Sequence, residues 1–181
     1  AFCNLILDST FYQMFSEDDL YTELCEIKDE SFQYLEQNDD ENVDINENIN
    51  RIEVHSIFLR ILYAFIINNF DSSKLLIHID HVFRLFELYY QVDSHIHDED
   101  TIYFSLRIFS KILSADTYFE DEQIKEVLEL FTEHIIFTIS LRLNEEDNSD
   151  LSLHIIESLI RYKIDIFPIF TPALIFNFKS D

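Results

Sequence analysis

The sequence predicts an all-α fold of stacked antiparallel helix pairs, repeating about every 47 residues. Three observations predict it. The 181 residues include no glycine. Apolar side chains recur at helical spacing through most of the chain. One helical segment also matches itself twice further along.

Glycine supplies the positive-φ positions of tight hairpins, phosphate-cradling loops and dinucleotide-binding turns. A β-rich or nucleotide-binding α/β domain of this size needs several, whereas helices joined by Asp, Asn and Ser turns do not. Hydrophobic residues make up 48% of the chain and aromatics 15%. That is material for one sizeable core rather than two, and it rules out a chain disordered throughout.

Residues 1–35 read as N-terminal helices of the same domain. Ser16 can cap a helix whose first turn carries Glu17, Asp18 and Asp19, with Leu20, Leu24 and Ile27 facing inward. Residues 36–50, EQNDDENVDINENIN, hold six acids, five asparagines and no base. They predict an acidic flexible loop, with 38–50 the least protected backbone of the chain. Helical repeats are predicted over residues 51–181. The segment 52–69 is apolar nearly all round, the mark of a buried helix. Asp71-Ser72-Ser73 can cap a helix over 74–92, with Ile79, Val82, Phe83, Phe86 and Tyr90 inward. Acids at 98–100 and 120–122 precede helices over 101–114 and 124–143. A turn at 145–150 leads into 151–164, and Thr171-Pro172 starts a last short helix.

Self-comparison makes the pattern specific. Leu59-Arg60-Ile61-Leu62 recurs 47 residues on as Leu106-Arg107-Ile108-Phe109, and again as Leu153-His154-Ile155-Ile156. The match continues through Phe65-Ile66, Ile112-Leu113 and Leu159-Ile160. In the helices that follow, Val82-Phe83-Arg84-Leu85-Phe86 aligns with Val127-Leu128-Glu129-Leu130-Phe131 at an offset of 45. Leu59, Leu106 and Leu153 are therefore expected at equivalent buried positions.

From residue 52 onward the chain resembles a HEAT/armadillo-like α-solenoid, in period and apolar register. It departs from the HEAT pattern in lacking a clear proline in the first helix. Arg60 and Arg107 look like rungs of an Asp/Arg ladder, which His154 does not continue. The resemblance implies a protein–protein interaction module, a scaffold or adaptor. It also implies either a piece of a longer solenoid or a C-terminal helix covered by another chain, since the apolar ALIFNF at 173–178 needs a neighbour.

The formal net charge is −24, from 36 acids against 12 bases. Such a surface repels phosphate backbones and anionic lipid, so neither nucleic acid nor a membrane is an expected partner. A basic protein or peptide is. Glu122, Glu126, Glu129 and Glu133 form an acidic stripe and are the candidate partner-binding residues. Lys74, His78, His81 and Arg84 form a weakly basic stripe on the preceding second helix. Neighbouring pairs could neutralise these stripes against each other, or the second helices could line a binding surface. The longest apolar run, 166–178, is broken by Pro168 and Pro172 and is shorter than the roughly 20 residues a membrane helix needs. Cys3 and Cys25 form no CxxC, and there is no Asn-x-Ser/Thr sequon or signal-peptide pattern. A soluble intracellular protein, cytoplasmic or nuclear, is expected.

Two groups could carry chemistry. His95, His97, Asp98, Glu99 and Asp100 offer metal-ligand types within six residues, and His78 and His81 stand at i and i+3 of a helix. The alternative function is therefore a small helical metalloenzyme using such a His/Asp cluster. Acids before a helix have a commoner explanation in the helix dipole, and no HExxH or nucleophile elbow is present. Cys25, between Leu24, Ile27 and acids, is expected to be buried rather than nucleophilic. No catalytic residue, metal or cofactor is expected.

Overall fold

A computed structural model describes residues 16–36, 45–90, 98–145, 148–162 and 164. Among them are seven α-helices and no strand: α1 (Glu17–Glu36), α2 (Ile45–Ile67), α3 (Ser72–Tyr90), α4 (Glu99–Ile112), α5 (Asp121–Glu129), α6 (Glu133–Leu141) and α7 (Ser149–Arg161). A short 3-10 turn, Arg142–Asn144, follows α6.

Polar caps and one asparagine do the work of the missing glycines. At the end of α2, Asn69 adopts φ 57, the left-handed region. The Phe70 N–H then donates to Phe65 O and the Asn69 N–H to Ile66 O, the bonding of a Schellman motif. The rings of Phe65 and Phe70, 4.5 Å apart, supply its apolar contact. Asp71 Oδ1 accepts from Ser73 N–H at the start of α3, and Asp98 Oδ2 accepts from Thr101 N–H at the start of α4.

Helices α2, α4 and α7 form a row of successive contacts. α4 packs against α2, α7 against α4, and α1 against α2. Behind this row, α3 packs on α2, α4 and α5. A cluster of phenylalanines ties the layers together. Phe109 of α4 lies 4.4 Å from Phe83 and 5.6 Å from Phe86 of α3, and 5.4 Å from Phe131 after α5.

The joints along the row correspond. The Arg107 guanidinium of α4 lies 4.6 Å from the Tyr63 ring of α2. Forty-seven residues on, Ser110 Oγ of α4 and His154 Nδ1 of α7 share a 2.7 Å hydrogen bond. Small polar residues repeat as well: Thr101 and Asn148, and Ser105 and Ser152, are all buried. Leu59 and Leu106 are fully buried, but Leu153 is 48% exposed. Ile66 and Leu113 are likewise buried, while Ile160 is 55% exposed. The third expected burial is thus not found. Leu153 and Ile160 share the face of α7 that points away from α4, and among the described elements no further helix lies beyond it.

Two expectations need correction. Residues 45–50 belong to α2 rather than to a loop over 36–50, and Glu36 closes α1. Ile45, Ile49 and Ile52 stand at i, i+4 and i+7, so helical spacing already runs through that acid-rich stretch. Residues 37–44 lie outside the described residues. The single helix expected over 124–143 is two, α5 and α6, because Thr132 caps the second by accepting from Ile135 N–H. Buried Phe131 anchors the intervening turn against Phe83 and Phe109. The expected short helices before residue 16 and after Thr171 lie outside the described residues. Among those described, no helix is long and apolar enough to cross a membrane.

Candidate functional site

Helix α5 turns Ile124 and Val127 into the core, which leaves the opposite face to solvent. Glu122, Glu126 and Glu129 lie on that face at i, i+4 and i+7, and all three are exposed. Glu133 is exposed too, but it begins α6, beyond the break at Thr132. The four carboxylates therefore span two helices rather than one. Glu120 and Asp121, also exposed, add to the field, and Lys125 on the same helix subtracts from it.

The bases of α3 do not neutralise this surface. Arg84 pairs with Asp80 of its own helix at 2.9 Å and lies 5.6 Å from the Phe32 ring. Lys74 Nζ stands 5.3 Å from the Tyr21 ring and 5.4 Å from that of Phe70. Both long side chains are drawn to aromatic faces on the α1 side.

His78 and His81 are not part of a basic stripe. Both are buried in the seam where α1 lies against α2 and α3. His81 Nε2 is 2.7 Å from Ser31 Oγ, and His78 Nε2 is 3.3 Å from Tyr21 Oη. His55 of α2 joins them: its Nδ1 is 2.7 Å from Tyr89 Oη and its Nε2 3.3 Å from Ser31 O. The Phe58 ring makes T-shaped contacts with both His78 and His81. The Nδ1 atoms of His78 and His81 are buried with no hydrogen-bond partner. Burial, reinforced by Lys28, holds His78 down to about 4. Burial, then His55, Lys28 and Arg84, hold His81 down to about 3. Both rings are neutral at pH 7. Neither Ser31 nor His55 stood out in the sequence, because contacts 24 to 57 residues apart leave no local pattern.

Among the described residues, no group of three or more His, Cys, Asp or Glu side chains is placed to hold a metal ion. His95 and His97 lie outside the described residues. Of their acidic neighbours, Asp98 caps α4 and Asp100 pairs with Arg60 of α2. Cys25 is a partly buried free thiol, less enclosed than expected. Burial, and then this thiol, push the Tyr21 hydroxyl up. Compared with known proteins, the chain matches no family model, no curated protein and no solved structure.

Proposed function

We propose that the chain is a protein-interaction module, a HEAT/armadillo-like scaffold or adaptor. Its second-helix surface, carrying Glu122, Glu126, Glu129 and Glu133, receives a basic protein or peptide. One observation carries this reading: the four carboxylates stay exposed while Arg84 and Lys74 of α3 are engaged elsewhere. A cationic partner there meets a negative field already in place, set in a chain of net charge −24. The matching joints Tyr63/Arg107 and Ser110/His154 support the stacked-pair architecture that the resemblance implies.

The test uses a fluorescent lysine-rich amphipathic peptide and an acidic counterpart of the same length. The basic peptide is expected to bind, and Glu122→Lys/Glu126→Lys/Glu129→Lys to weaken it by about tenfold or more and flatten its salt dependence. Equal affinity for the variant and the parent chain ends the proposal.

A further inference from the structure

Each helix in the row α2, α4, α7 offers the next one a stripe at the same three positions. These are Leu59, Tyr63 and Ile66 in α2, and Leu106 and Ser110 in α4 with Leu113 at its C-cap. Their counterparts in α7 are Leu153, Glu157 and Ile160, again at i, i+4 and i+7. In the first two stripes the outer residues are fully buried and the central one is partly buried. In α7 all three are exposed.

The central residue of each filled stripe meets a nitrogen base 44 residues further on. Tyr63 meets Arg107, and Ser110 meets His154. In α7 that central residue is a carboxylate. Arg161, one turn beyond Glu157, donates instead to Ser158 Oγ. The residue three before each incoming base, Phe104 or Leu151, packs into the core.

The geometry points to the Leu153/Glu157/Ile160 face of α7 as a docking site for an amphipathic helix of another protein. The incoming helix carries a Lys or Arg to meet Glu157 and an apolar residue three positions earlier. The inference rests on the stacked-pair reading above and assigns a second surface, distinct from α5. Continuity with the two filled joints fixes the occupant as a helix, and Glu157 fixes its charge. In a second copy of the chain, α2 is already packed against α1 rather than free to continue the row from α7.

The probe is a hydrocarbon-stapled peptide of residues 98–113 of this chain, which places Arg107 at the base position. Its binding to the full chain is followed by fluorescence anisotropy. Saturable binding is expected. Leu153→Ser/Ile160→Ser should weaken it at least about tenfold, and both changed residues are exposed enough to leave the fold intact. An Arg107→Glu peptide should lose binding to the parent chain and regain it with Glu157→Arg. Glu122→Lys/Glu126→Lys/Glu129→Lys should leave peptide binding unchanged. If that triple variant abolishes binding and the α7 variant does not, the peptide reads the α5 surface; this inference then falls while the proposed function stands. No binding at ~1 mM peptide also overturns it. So does sedimentation showing a dimer that Leu153→Ser/Ile160→Ser dissolves, since a second copy is then the occupant. Tighter peptide binding after Leu174→Ser/Phe176→Ser makes the chain's own C-terminal segment the occupant, and overturns it as well.

Discussion

Ser31 Oγ of α1 and His81 Nε2 of α3 share a 2.7 Å hydrogen bond in the buried seam that joins the two helices. The other ring nitrogen of His81 has no partner, and neither does Nδ1 of His78. The docking of α1 therefore depends on two imidazoles remaining neutral.

This gives the chain a specific acid sensitivity. Folded pKa values of about 4 for His78 and about 3 for His81 lie below the 6.5 of an ordinary imidazole. Between those limits the unfolded chain binds more protons, so folding loses stability as pH falls. The contribution is fully present above about pH 6.5 and drains away towards pH 3 to 4. By pH 5 the loss is on the order of 2 kcal/mol per histidine. Lys28 lies near both rings, Arg84 and His55 act on His81, and Asp29 opposes the shift of His78. The urea midpoint should fall from pH 7 to pH 5, and His78→Gln/His81→Gln should flatten that slope. An NMR titration placing either imidazole near 6.5 in the folded chain contradicts the prediction.

Ser31→Ala should cost about 1–3 kcal/mol, because it leaves His81 buried without a hydrogen bond on either nitrogen. Adding His81→Leu should recover much of that loss, since both polar partners are then gone. Chemical denaturation of the two single variants and the double variant decides it. Additive losses would mean that the bond contributes nothing.

The helices were legible because apolar spacing is local. Leu59, Ile61, Leu62 and Phe65 announce one helix, and their counterparts 47 residues on announce another. The acidic face of α5 was legible for the same reason, with Ile124 and Val127 interleaved between its glutamates. Tertiary events were not. His78 and His81 read as a surface stripe, and only the arrival of α1 some 50 residues away encloses them. The break before Glu133 hinged on one threonine acting as a cap within an otherwise helical pattern. Leu153 matched its counterparts in sequence, but burial also needs a neighbour, and a sequence match says nothing about whether one is there.

That difference predicts unequal costs at equivalent positions. Leu106→Ala should destabilise by about 2–5 kcal/mol, the range for a fully buried leucine. Leu153→Ala, at a half-exposed site, should stay within about 1 kcal/mol. Thermal or urea unfolding compares them directly. Equal large losses would place Leu153 inside a core, and remove the open face of α7.

The joints themselves can be weighed by double-mutant cycles. Arg107 lies 4.6 Å from the Tyr63 ring, and coupling between Tyr63→Leu and Arg107→Met should be about 0.5–1 kcal/mol. Ser110 and His154 share a hydrogen bond, so Ser110→Ala with His154→Leu should couple by about 0.5–1.5 kcal/mol. The crossed pair, Tyr63→Leu with His154→Leu, tests whether the two contacts are separate joints. It spans different helix contacts and should add within roughly 0.5 kcal/mol. Two couplings with an additive crossed pair are what a row of independent, repeated joints requires, since each helix then touches only its neighbours. Coupling in the crossed pair of the same size as in the others would instead mean one shared core, with the correspondence at 47 residues carrying no structural weight.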